Sequence, residues 1–82
     1  LINSSNLIEG DGHIEQLTPK EKEILIELGK GHSNREISKI LYITEYTVKK
    51  HVSQVFAKLG LADRTQAALY ANAKGLVTYV VS

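Results

Sequence analysis

The 82-residue chain contains no cysteine. Disulfides and thiolate metal sites are thereby excluded, and a reducing compartment is the simpler expectation. Methionine is also missing and the chain opens on Leu1, as expected of a piece of a longer protein. No apolar run approaches the ~20 residues a membrane helix needs, and no signal-peptide pattern is present, so a cytoplasmic location is expected. Catalytic signatures are lacking too. There is no glycine-rich phosphate loop, no HExxH and no nucleophile elbow, and the carboxylates are spread along the chain as helix-surface charge pairs would be. The histidines, His13, His32 and His51, stand far apart, which leaves no metal-ligand spacing. Neither an enzyme, nor a cofactor, nor a small-molecule substrate is expected.

What is present is a series of capped amphipathic helices. A chain of this length forms one domain, able to close a small core without staples. Ser33 with Glu36 three residues on has capping-box spacing, and Ile37, Ile40 and Leu41 follow on one face. Tyr42 and Ile43 break that pattern, and Thr44 can cap a longer helix whose stripe is Val48, Val52, Val55, Phe56 and Leu59. Upstream, Thr18, Pro19 and Glu21 open a first helix with Ile24, Leu25 and Leu28 inward, while Ile26 falls on the far side as an exposed residue or a docking point for another domain. Gly29 and Gly31 end it. Downstream, Asp63 and Gln66 have the spacing of a third capping box, opening a helix with Ala67, Ala68 and Tyr70 or Ala71 inward.

The reading is an all-α, compact four-helix bundle containing a helix-turn-helix, with helices at about 18–29, 33–41, 44–59 and 63–74. Residues 1–16, rich in Asn, Ser and Gly, read as a flexible linker from an N-terminal domain, 17–77 as the folded unit and 78–82 as an unassigned tail. His13 reads as solvated and His32 as a surface residue of the turn after the first helix. Ser38 can bond back to the preceding turn. Tyr42, if left-handed, costs about 1 kcal/mol unless its ring packs.

Charge is unevenly distributed. The span from Leu1 to Gly29 holds two lysines against six acids, whereas that from Lys30 to Arg64 holds seven cations against three acids. A basic middle beside an acidic flank suits an oriented approach to a polyanion. The side of the longer helix facing away from its apolar stripe carries Tyr46, Thr47, Lys49, Lys50, His51, Ser53, Gln54 and Lys58. A short helix, a tight turn and a second helix with a polar, basic face form the helix-turn-helix arrangement, whose second helix enters the major groove of double-stranded DNA.

Taken in order, LTPKEKEIL, GHSNREISKIL and ITEYTVKKHVSQVFAKLGLADRTQAA resemble the LuxR-type DNA-binding domain at the C-terminus of NarL/FixJ-class response regulators. The resemblance runs from Leu17 to Val77. It implies a transcription regulator of a two-component system, severed from its receiver domain and controlled by phosphorylation of that receiver. It also implies a homodimer through the last helix, where Thr65, Leu69 and Asn72 share a stripe, although Leu69 could instead complete the core. By similarity to the family, the positions of Lys49, Lys50 and Ser53 most often meet base edges. From chemistry alone, the lysines can donate either to guanine or to phosphate, and Gln54 can pair an adenine edge. Asn34, Thr44 and Thr47 lie at helix starts, where phosphate oxygens fit. Tyr46 can reach a phosphate or sugar. Lys58 and His51 read as backbone contacts, His51 matching the TVKxH histidine of the family or else serving as a surface imidazole. Arg64 opposes the dipole at a helix start and needs a partner, either an acid such as Glu21 or a phosphate. The competing readings are a helical protein-interaction module anchored by Ile26 or Leu69, and a sigma-factor-like promoter reader; TVKKH and DRTQAALYA favour the response-regulator relative.

Overall fold

Each helix begins where a side chain stands in for a missing helical partner. In the computed structural model, which describes residues 14–77, Thr18 and Glu21 form a full capping box at the start of α1 (Pro19–Gly29). Ser33 and Glu36 form another at α2 (Asn34–Leu41). The Thr44 hydroxyl accepts from the Thr47 N–H at α3 (Glu45–Leu59). Asp63 accepts from the Gln66 N–H at α4 (Arg64–Ala73). The expected third box is not reciprocal, because the Gln66 amide oxygen accepts from the Ala62 N–H at 2.9 Å instead. The four helices agree with the expected all-α architecture, and no strand occurs among the described residues.

The inward residues recur at helical spacing and meet in one core. Ile24, Leu25 and Leu28 of α1, Ile37 of α2, Val48, Val52, Val55 and Leu59 of α3, and Ala67 and Ala71 of α4 are buried with Leu17 and Val77. Fully burying a branched aliphatic side chain contributes roughly 1.5–3 kcal/mol, so this set outweighs the weak intrinsic stability of helices this short. α1 packs on α3 and α4, and α2 packs on α3. The alanines of α4 permit close approach to the end of α1, where Gly29 is helical and crowded. A Cβ there would lie 2.6 Å from Val77 Cγ2 and 2.7 Å from Ala71 Cβ. Gly29 is thus held by contact, and left-handed geometry falls to Gly31 (φ 89°).

The structure adds to these expectations packing that the helical pattern does not contain. Ile26 is half-buried against the core, as are Ile14 and Leu76, with which it lines a shallow depression. The proposed linker overlaps the packed unit at its end, since Ile14 packs on the core and its carbonyl accepts from the Leu17 N–H at 3.2 Å. Tyr42 does take the left-handed conformation (φ 59°, ψ 46°), but with 92% of its surface exposed its ring packs on nothing that offsets the strain. The Ser38 hydroxyl donates to the Arg35 carbonyl at 2.7 Å. Residues 1–13 and 78–82, with His13 and the β-prone tail, lie outside the described residues.

Candidate nucleic-acid interface

The solvent side of α3 is formed by the positions that its apolar stripe leaves over. Val48, Val52 and Val55 anchor the helix to α1 and α2, which turns Tyr46, Lys49, Lys50, Ser53 and Gln54 together into one shallow concave surface. A second depression continues it toward α2, lined by Asn34, Glu45, Tyr46 and Lys49. Lys49, Lys50, Ser53 and Gln54 are exposed, as is Tyr46. None of these five side chains makes a hydrogen bond or ion pair among the described residues. Polar donors without internal partners, standing on a rigid helix, are equipped to bind an external acceptor.

The remaining expected site residues are arranged differently. Thr44 Oγ1 accepts from the Thr47 N–H at 3.1 Å and donates to Thr47 Oγ1 at 2.9 Å, so both hydroxyls serve the start of α3. His51 is half-buried, and its Nδ1 is enclosed without a partner among the described residues. The Nδ1 edge of its ring is therefore turned into the domain.

Lys58 lies on the flank of α3 that meets α1. Its Nζ donates to Glu21 Oε1 at 2.7 Å and to the Gln16 carbonyl at 3.3 Å. Glu21 is itself buried, with 1% exposure. Burial alone would raise the Glu21 carboxyl, but the Lys58 hydrogen bond, the Thr18 N–H and the nearby charges of Lys58 and His51 outweigh it and hold the group below its ordinary value. The cation that the sequence suggested for Glu21 was Arg64; the structure assigns Lys58 to it.

Arg64 instead bridges from α4 to the start of α2. Its guanidinium donates to Asn34 Oδ1 at 2.8 Å and to the His32 carbonyl at 2.6 Å. His32 in turn lies between two carboxylates, 3.5 Å from Glu27 and 3.5 Å from Glu36, and is thus more than a solvated turn residue. Glu36 is held below its ordinary value chiefly by the Ser33 backbone N–H. On α4, Leu69 is 65% exposed and Thr65 is exposed, so Leu69 does not complete the core. Asn72 is half-buried and donates to the Ala68 carbonyl at 2.7 Å.

For two members of this neighbourhood the structure adds contacts that the sequence reading did not specify. Glu45 shares the second depression with Lys49, and its place at the start of α3 could have signalled that. Arg64 touches Asn34 from 30 residues away, and no local pattern signals that contact.

Among the described residues no helix is long and apolar enough to cross a membrane. The family described as "Bacterial regulatory proteins, luxR family" matches residues 15–71. The transcriptional regulatory protein LnrK of Bacillus subtilis is 49% identical over 78 residues, covering 95% of this chain and 36% of that protein. The uncharacterized transcriptional regulatory protein YhcZ of the same organism is 59% identical over 56 residues, 68% of this chain and 26% of that protein. The response regulator protein VraR of Staphylococcus aureus is 49% identical over 63 residues, 77% of this chain and 30% of that protein. The chain thus spans about a third of the length of the curated relatives it matches.

Proposed function

Because the chain belongs to the luxR family of bacterial regulatory proteins, as a DNA-binding helix-turn-helix domain, we propose that it reads DNA sequence with α3 in the major groove. The observation that carries this reading is the contiguous surface of Tyr46, Lys49, Lys50, Ser53 and Gln54, whose donors have no internal partner. Lys49, Lys50 and Ser53 face base edges, Gln54 is available to an adenine, and Tyr46 and Asn34 bind the flanking backbone. Thr44 and Thr47 offer what remains of their hydroxyl capacity to phosphate. Lys58 and His51 are left out of this set: two protein acceptors hold the Lys58 ammonium, and the Nδ1 edge of the His51 ring is turned into the domain.

The same reading extends to regulation. The domain acts in the cytoplasm as the effector of a two-component response regulator, coupled to a receiver domain whose phosphorylation frees or pairs two copies. The copies pair through exposed Thr65 and Leu69 and the neighbouring Asn72, and so place their α3 helices on adjacent half-sites. One short helix offers only a small apolar surface, so this pairing is weak without DNA. Selection of duplexes on this chain tests the reading, with a shuffled duplex of equal length as control. Enrichment of a repeated or palindromic half-site, bound less tightly as salt rises, is the expected result. Equal binding of selected and shuffled duplexes would contradict sequence reading.

A further inference from the structure

Arg64 combines three features that its position in α4 does not explain. It sits at the first residue of the helix, where a cation opposes the helix dipole. Its side chain leaves its own helix and spans the turn before α2. Both ends of its contact set are fixed, by the His32 carbonyl at 2.6 Å and by Asn34 Oδ1 at 2.8 Å.

A guanidinium can only donate, so the carboxamide it holds must present oxygen to it. The orientation of Asn34 is therefore decided: Oδ1 faces Arg64, and the NH2 group is the end that remains. That NH2 makes no other hydrogen bond among the described residues. Asn34 also lines the depression that Glu45, Tyr46 and Lys49 share, next to the reading surface. An amide with its acceptor end occupied offers only donors to a ligand there. The complementary chemistry is an anionic oxygen, and beside a DNA-reading helix that is a phosphodiester.

We propose that Arg64 is a positioning residue for DNA binding: it locks the Asn34 carboxamide with its NH2 outward, so that Asn34 donates to a phosphate oxygen of the bound strand. This rests on the DNA reading above, and it links the start of α4 to the DNA-facing end of α2 through two side chains. Arg64 itself does not contact the phosphate. Two of its five N–H donors hold protein oxygens, in contrast to Lys49 and Lys50, which hold none.

A double-mutant cycle on the full chain tests the proposal. Affinity for the selected duplex is measured for the unaltered chain, Arg64→Met, Asn34→Ala and the combination, each at several salt concentrations, with helicity checked by circular dichroism. Losing one hydrogen bond to DNA weakens binding by roughly three- to ten-fold. The expectation is such a loss for each single variant, no further loss in the combination, and an unchanged salt slope for Arg64→Met, since the lost contact is made by a neutral amide. Arg64→Lys, which keeps the charge but lacks the planar two-pronged fork, should fall between.

Three results would overturn the proposal. A loss from Arg64→Met that persists undiminished in the Asn34→Ala background would mean that Arg64 acts elsewhere, through fold stability or α4. A shallower salt slope for Arg64→Met would mean that it binds phosphate directly. Unchanged affinity in Arg64→Met would mean that the lock has no role in binding. If the unaltered chain itself failed to discriminate the selected duplex, the DNA reading would fall with it; additive effects in a chain that does discriminate would remove only the role of Arg64.

Discussion

The lysines of α3 stand in two different environments. Lys49 and Lys50, in its first half, are exposed and have no protein partner among the described residues. Lys58, in its last turn, places its ammonium against the buried carboxylate of Glu21. The same side chain on the same helix thus serves recognition at one end and cohesion at the other. The difference lies in what faces it: at Lys58, α1 supplies the Glu21 carboxylate and the segment before α1 the Gln16 carbonyl, whereas Lys49 and Lys50 face solvent. A buried charge left without its partner is strongly destabilising, while an exposed lysine contributes little to stability. Charge counts along the sequence cannot separate the two roles.

That contrast predicts separable phenotypes. The largest effect is expected for Lys49→Ala combined with Lys50→Ala. Affinity for the selected duplex should fall by ~2–6 kcal/mol if each lysine meets a base and the losses add, while the melting temperature stays close to that of the unaltered chain. Unchanged affinity would break the assignment of this face. Next, Lys58→Met should lower unfolding stability by about 2 kcal/mol, toward the low side for a broken buried pair because the lysine side chain is 34% exposed. Denaturant unfolding measures this, and the DNA affinity of the folded protein should be unchanged. A Lys58→Met variant that is stable yet binds poorly would return Lys58 to the DNA-binding set.

The acid limb of stability sharpens the comparison. Glu21 titrates lower in the folded chain than its ordinary value of 4.5. Its contribution is therefore complete above about pH 4.5 and is lost as pH falls through the depressed folded value. In Lys58→Met, which lacks the Lys58 hydrogen bond and charge, the depression of the Glu21 carboxyl shrinks, so the acid loss due to Glu21 should be smaller than in the unaltered chain; denaturant midpoints across the acid range read it directly. The smallest effect concerns the turn between α2 and α3. Tyr42→Gly should raise stability by up to ~1 kcal/mol, since glycine adopts this φ without strain and the exposed ring has no packing to lose. A drop in melting temperature would show that the ring makes contacts that the exposed geometry does not indicate.

The parts of the fold that could be read from sequence are those specified locally. Ser33 with Glu36 and Thr18 with Glu21 mark helix starts because both partners of a capping box lie within four residues. The stripe of Val48, Val52, Val55 and Leu59 marks the inward side of α3, and thereby the outward one, because helical spacing alone decides it. Contacts that depend on how the helices come together were less legible. Glu21 and Lys58 are 37 residues apart, and each reads locally as a surface charge. The dipole argument rightly demanded a partner for Arg64, yet only the packing of α4 beside the turn into α2 makes that partner Asn34 rather than Glu21. Ile26 reads as exposed because the residues that share its depression, Ile14 and Leu76, belong to neither neighbouring helix. Gly29 illustrates the same limit: its local signature is that of a helix stop, and its crowding against Val77 and Ala71 exists only in the folded chain.

The central claim is that the open face of α3, and not its Glu21 flank, meets DNA. An NMR titration of the isotopically labelled chain with the selected duplex tests it most directly, following backbone and side-chain resonances along the helix. The largest shifts are expected at Tyr46, Lys49, Lys50, Ser53 and Gln54, with Glu21 and Lys58 little changed. Shifts concentrated at Lys22, Ile26 and Leu76 or at Leu69, with the open face of α3 unmoved, would contradict it.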